Sequence, residues 1–120
     1  MNRPKMQGTA FESWLVKWLD RIESVSEARR IAEGGSKDIG DVEWEDYTGD
    51  IWVAECKATQ TLNVTRVLGK ARAKSGRALT TVLAWKRLTK SDGNTNRTPD
   101  GEPVVIVMGL DTFKLLMEDR

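Results

Sequence analysis

Asp41, Glu55 and Lys57 are the residues whose types and spacing could do chemistry. They lie at the two ends of a segment that reads as a β-hairpin: Asp41-Val42-Glu43-Trp44, a turn at Thr48-Gly49-Asp50, then Ile51-Trp52-Val53-Ala54-Glu55-Cys56-Lys57. In an antiparallel pair the start of the first strand lies beside the end of the second, so Asp41 and Glu55 meet. Side chains alternate along a strand, which puts Ile51, Val53, Glu55 and Lys57 on one face and Trp52, Ala54 and Cys56 on the other. Two carboxylates held together repel unless a cation or a proton sits between them. Mg²⁺ prefers hard oxygen ligands and often takes only one or two carboxylates from a protein. A divalent ion at such a pair polarises a phosphodiester and acidifies water, so hydrolysis there needs no histidine. Lys57 can supply positive charge to a phosphate or to an attacking water. The plainer reading of Glu55 and Lys57 is an exposed cross-strand pair worth under about 1 kcal/mol. Against it stands the apolar character of both strand faces up to Glu55, which implies a central, covered strand that ends in charges for a reason. Asp38 is a second candidate three residues before Asp41. Asp41 is preferred because it opens the alternating strand, which leaves Asp38 as a turn residue or a group behind the ligands.

Other elements must hold these ends in place. Phe11, Trp14, Leu15, Trp18, Leu19 and Ile22 form a helical stripe. Thr9 with Glu12 has the form of a capping box at its start, after a flexible lead of residues 1–7. Val25, Ala28 and Ile31 extend this helix or form a short second one, which Gly34-Gly35-Ser36 ends. A basic, amphipathic helix is expected over 63–75, closed by Ser75-Gly76. A β-branched strand follows over 78–85, then a long polar loop over 88–102, a strand over 103–108, and a last helix over 112–118 capped by Asp111. A helix that joins buried strands implies a crossover. The expected class is therefore α/β (α+β), with a central mixed sheet flanked by helices. Trp14, Trp18 and Trp52 are expected in the core, and Trp44 and Trp85 at an edge or subunit contact.

A chain of 120 residues is expected to form a single domain, 1–120, with a core of its own. One cysteine and no histidine exclude a disulfide framework, a Cys/His zinc site and any mechanism built on a histidine base. The polar start carries no signal-peptide pattern, and no apolar run approaches the length of a membrane span. A cytoplasmic protein without membrane association is the expectation (host cytoplasm, if viral). The net charge of +1 hides an asymmetry. The segment 56–91 has no Asp or Glu and nine basic residues, whereas the remainder carries −8. Such a run suits a polyanion, although a solvated helix face would also produce it.

These residues resemble the PD-(D/E)XK nuclease superfamily. Asp41 followed by Glu55-Cys56-Lys57 looks like its signature, and Gly8-Thr9-Ala10-Phe11-Glu12 resembles the helix-one glutamate motif of the branch with archaeal-type Holliday junction resolvases. Gly35-Ser36-Lys37-Asp38-Ile39-Gly40-Asp41-Val42 is similar to a segment of small resolvase-like nucleases, many from phages. The resemblance implies a restriction-endonuclease-like core in which Asp41 and Glu55 bind Mg²⁺, with Mn²⁺ as a substitute. It implies that the Cys56 backbone carbonyl also ligates, that Lys57 orients the water or stabilises the transition state, and that Glu12 completes the site directly or through a water. The proline usual before the aspartate is Gly40 here.

The expected activity is a metal-dependent endonuclease acting on branched DNA, foremost a Holliday junction resolvase. Arg66, Lys70, Arg72, Lys74 and Arg77 would contact phosphates, which position a backbone without reading sequence. No helix carries the Arg, Asn and Gln mix of a base-reading element, which favours recognition of DNA shape. Symmetric cutting of a four-way junction calls for two active sites, hence a homodimer. The rivals are a flap or nick nuclease of the same superfamily, a non-catalytic nucleic-acid-binding module on the same fold, and a structural or regulatory protein whose basic face binds an acidic partner.

Overall fold

A computed structural model of the protein describes residues 3–31, 40–91, 94–97 and 103–118. Its centre is a five-stranded mixed sheet with helices on its faces, an α+β arrangement. The elements run α1 (Arg3–Leu19), β1 (Ser26–Arg30), β2 (Val42–Glu45), β3 (Ile51–Thr59), α2 (Val64–Ser75), a 3-10 turn (Ala78–Thr80), β4 (Thr81–Arg87), β5 (Thr89–Ser91), β6 (Asn94–Arg97), β7 (Val105–Val107) and α3 (Leu110–Met117). The spatial order in the main sheet is β1-β2-β3-β4-β7. Only β3 and β4 are parallel, joined by the α2 crossover; the other neighbours are antiparallel.

β3 is the spine. Trp52, Ala54 and Cys56 meet Phe11, Leu15 and Leu19 of α1, with Val42, Val82 and Ala84 alongside, in one buried cluster. The opposite face carries Val53 and Glu55 toward α2, whose own buried side chains are Leu68, Ala71 and Ser75. The β2–β3 turn is organised by Asp46. Its Oδ1 accepts from the Thr48 amide (2.8 Å), the Thr48 hydroxyl (2.6 Å) and the Asp50 amide (3.1 Å), while Oδ2 accepts from Trp52 Nε1 (2.7 Å). α2 starts on Asn63, whose side chain accepts from the Arg66 amide, and stops on Gly76 at φ 73°. Those are the start and stop devices that a crossover helix needs.

Several expectations are corrected. α1 begins at Arg3, ahead of Thr9, so residues 3–7 belong to the helix and Thr9 is not its cap. Trp14 and Trp18 are each 46 % exposed rather than core, because they stand on the flank of the Phe11–Leu15–Leu19 stripe. Trp52 is buried. The segment expected to be helical around Val25, Ala28 and Ile31 is strand β1, paired with β2. Its register shifts between Ser26 and Arg29, where Glu27 has φ 53°. A bulge adds one residue to a two-residue repeat. Val25 and Ala28 therefore both pack on the α1 core at a spacing of three, which imitates a helical period. The expected polar loop 88–102 holds a small hairpin, β5–β6, among its described residues. The last helix is preceded by Gly109 rather than capped by Asp111, which lies in its first turn.

Gly40 explains why no proline precedes Asp41. Its φ is +147°, which proline cannot adopt and which L-residues rarely do, and a Cβ there would overlap Val53 Cγ1. Gly40→Ala combines backbone strain with overpacking against β3 and is expected to cost about 2–4 kcal/mol. Urea unfolding checks this; an unchanged midpoint would refute the tight approach.

Candidate active site

The site forms where β2 begins and β3 continues past it. The Asp41 amide donates to the Ala54 carbonyl (3.0 Å), and Asp41 Oδ2 accepts from the Cys56 amide at 2.7 Å. The carboxylate thus replaces the strand that would otherwise have paired there. Within a strand, a residue's N–H and C=O point the same way. The Cys56 carbonyl therefore faces the Asp41 side, as a ligating carbonyl would have to. The Cys56 thiol points into the α1 core. Burial first, and then the nearby Asp41 charge, push its pKa up, so it is a packing group and not a nucleophile.

Glu55 is only 7 % exposed. Lys74 Nζ, from the last turn of α2, lies 2.9 Å from its Oε1, and Lys57 Nζ lies 3.8 Å from its Oε2. Oε1 is buried yet has no hydrogen-bond partner, because the Lys74 contact is not aligned as a hydrogen bond. Asp41 and Glu55 are close enough to share a proton. Burial pushes the Asp41 pKa up to about 7; the Cys56 amide opposes this, and the Glu55 and Glu12 charges add to it. Glu12 reaches the site from α1, where Arg30 Nε holds its Oε1 at 3.1 Å.

Sequence reasoning paired Asp41, Glu55 and Lys57, and the fold brings them together. Glu12 is near, but bound to Arg30. Asp38 lies outside the described residues. The five basic residues assigned to phosphates divide. Arg66, Lys70 and Arg77 are exposed. Arg72 is taken by Asp111 through a two-pronged contact (3.1 and 2.6 Å), which raises the arginine's pKa and lowers the aspartate's. Lys74 turns to Glu55. Arg72 thus clasps α2 to α3, and Lys74 lies beside Glu55 in the site. The signal for Lys74 was the spacing of Arg66, Lys70 and Lys74, four residues apart on one helix face whose last member overlies β3.

Among the described residues, no group of three or more Asp, Glu, Cys or His side chains is arranged to hold a metal ion. The donor set that does exist is two carboxylates and a strand carbonyl. It fits Mg²⁺, which completes its shell with water or phosphate oxygens. Glu55 Oε1 is buried without a hydrogen bond and burial raises the Asp41 pKa, so the pair is one that a cation would stabilise.

A raised carboxyl pKa has a definite sign in stability. The folded state holds the Asp41 proton more tightly than the unfolded chain, so this contribution is complete below about pH 4 and lost as pH rises through about 7. In metal-free buffer the stability advantage of wild type over Asp41→Asn should shrink from pH 5 to pH 8. The change should be on the order of 1–2 kcal/mol, allowing for the solvent that still reaches this carboxyl. Thermal melts of both proteins across that range measure it; a difference that stays flat would contradict the assignment.

No protein-family model, curated protein or solved structure matches this chain.

Proposed function

We propose that this chain is a Mg²⁺-dependent endodeoxyribonuclease that cuts branched DNA, with the four-way junction as its foremost substrate. The observation that carries the reading is a carboxylate pair, buried Glu55 beside half-buried Asp41, at the open end of a central strand and faced by two lysines. Buried acids next to one another are costly, and an arrangement that keeps them together points to a cation and to a function.

Asp41, Glu55 and the Cys56 carbonyl would hold the ion, which when bound supplies Lewis-acid polarisation of the scissile phosphate. The chain's own groups do the rest. Lys57 stands at the mouth of the pair and can balance negative charge that develops on the phosphate. Glu12, drawn back by Arg30, is poised to orient water from the α1 side. Arg66 and Lys70 continue from Lys74 along α2 as an exposed basic stripe that can follow a phosphate backbone.

Incubating labelled four-way junction, flap and linear duplex with Mg²⁺ or with EDTA tests the activity. Cutting should require the metal, favour the junction, and fall at least about a hundredfold in Glu55→Ala and Lys57→Ala, the scale set by losing an electrostatic catalytic group. Binding without cutting, unchanged in both variants, would favour a non-catalytic DNA-binding module. Cutting of flap alone would favour a flap nuclease.

Two cuts placed symmetrically on a junction require two such sites, and we assign the dimer contact to the face remote from the carboxylates. There an apolar groove of about 570 Å³ runs between α1 and β7, lined by Trp14, Trp18, Trp44, Val104, Ile106 and Leu116. Half-exposed aromatics gathered in one groove are unusual for a free surface and suit a self-complementary contact. Sedimentation equilibrium at micromolar concentration should give a dimer, and Trp18→Glu should give a monomer. A wild-type monomer would remove the groove from this role.

A further inference from the structure

We propose that Lys74 is a tethered counter-cation, which occupies Glu55 while no divalent ion is bound and releases it when one arrives. The inference rests on the reading that Asp41 and Glu55 take such an ion.

A buried anion needs a compensating charge, since taking a carboxylate out of water costs several kcal/mol. Glu55 has two ammonium groups to choose from, and they are not equivalent. Lys57 is fixed to the same strand and stands off at 3.8 Å. Lys74 comes from another element and makes the close contact, 2.9 Å, to the oxygen that has no hydrogen bond. Poor alignment at short distance is the mark of a charge filling a place rather than of a bond the site is shaped around. The Lys74 side chain is 35 % exposed, so the ammonium has a way out to solvent. It sits on α2 in step with Arg66 and Lys70, so an ammonium that leaves Glu55 rejoins the exposed basic stripe. Entry of the ion would thereby take the place of the Lys74 ammonium at Glu55.

Competition is measurable without any assay of cutting. Mn²⁺ binding to the full chain is followed by the spin-resonance signal of the free ion, and the melting temperature is recorded with and without Mn²⁺. Lys74→Met should bind Mn²⁺ about fivefold more tightly than wild type, the factor expected for removing a partly exposed ion pair that the metal must break. Its metal-free melting temperature should fall and its gain on adding Mn²⁺ should exceed that of wild type. Lys74→Arg, which keeps the charge, should return affinity toward the wild-type value. Lys70→Met, one turn earlier on the same stripe, controls for the loss of one positive charge and should change affinity less than Lys74→Met. Equal Mn²⁺ affinity in wild type, Lys74→Met and Lys70→Met, or weaker binding in Lys74→Met, would overturn the role of Lys74 and leave the metal site standing. No Mn²⁺ binding to any of the four, wild type included, would overturn the nuclease reading and this inference with it.

Discussion

The hydrogen bond from the Cys56 amide to the Asp41 carboxylate fixes where this sheet stops being structure and starts being a site. β2 begins only at Val42, opposite Ala54, and β3 runs on past it without that partner. A backbone amide left without a partner at that depth would cost about 1–3 kcal/mol. Asp41 satisfies it with a side chain, which commits that carboxylate to the strand edge beside Glu55. Gly40 follows from the same constraint, because the chain must approach Val53 closely to deliver Asp41 there. So does the need for cations nearby, since the edge now carries two acids in a place that water reaches poorly.

The helices serve that edge in different ways. α1 covers the face of β3 that carries Trp52, Ala54 and Cys56, so the thiol is sealed away and only the backbone of Cys56 belongs to the site. α2 covers the other face and brings Lys74 in at its last turn, just before Gly76 stops it. The Arg72–Asp111 clasp then fixes α3 to α2, and a side chain at Gly109 would collide with Arg72. One helix thus carries charges with three different uses: an internal clasp, a site cation and an exposed stripe.

Patterns governed by local periodicity could be read from the sequence. The alternation of β3, the apolar stripe Phe11–Leu15–Leu19, the Asn63 start and the Gly76 stop each depend on near neighbours, and the mixed α+β sheet follows from them. What escaped reading depended on longer range or on an inserted residue. β1 was hidden by its bulge, which turned a spacing of two into three. The exposure of Trp14 and Trp18 depended on what covers their flank of α1, which no spacing within α1 encodes. The Asp41–Glu55–Lys57 set was legible because a hairpin brings strand ends together in any fold. The partners of Arg72 and Lys74 were not, since two basic residues on one helix look alike until the elements they face are known.

The sheet has two outer strands, and they are finished differently. β1 is bulged and carries Glu27, Arg29 and Arg30, with Arg29 paired to Glu43 at 2.5 Å across the strands. Charge and a bulge are what keep an edge from recruiting foreign strands. β7 is three apolar residues, Val105–Val107, with Ile106 standing half in solvent, and no described strand pairs with its outer side. The fold is therefore polarised with respect to aggregation as well as chemistry. Among the described residues of the main sheet, strand addition from another chain is open at β7 and guarded at β1, and a pairing of two β7 edges about a twofold axis would close the ladder and leave the guarded β1 strands as the ends of a single ten-stranded sheet.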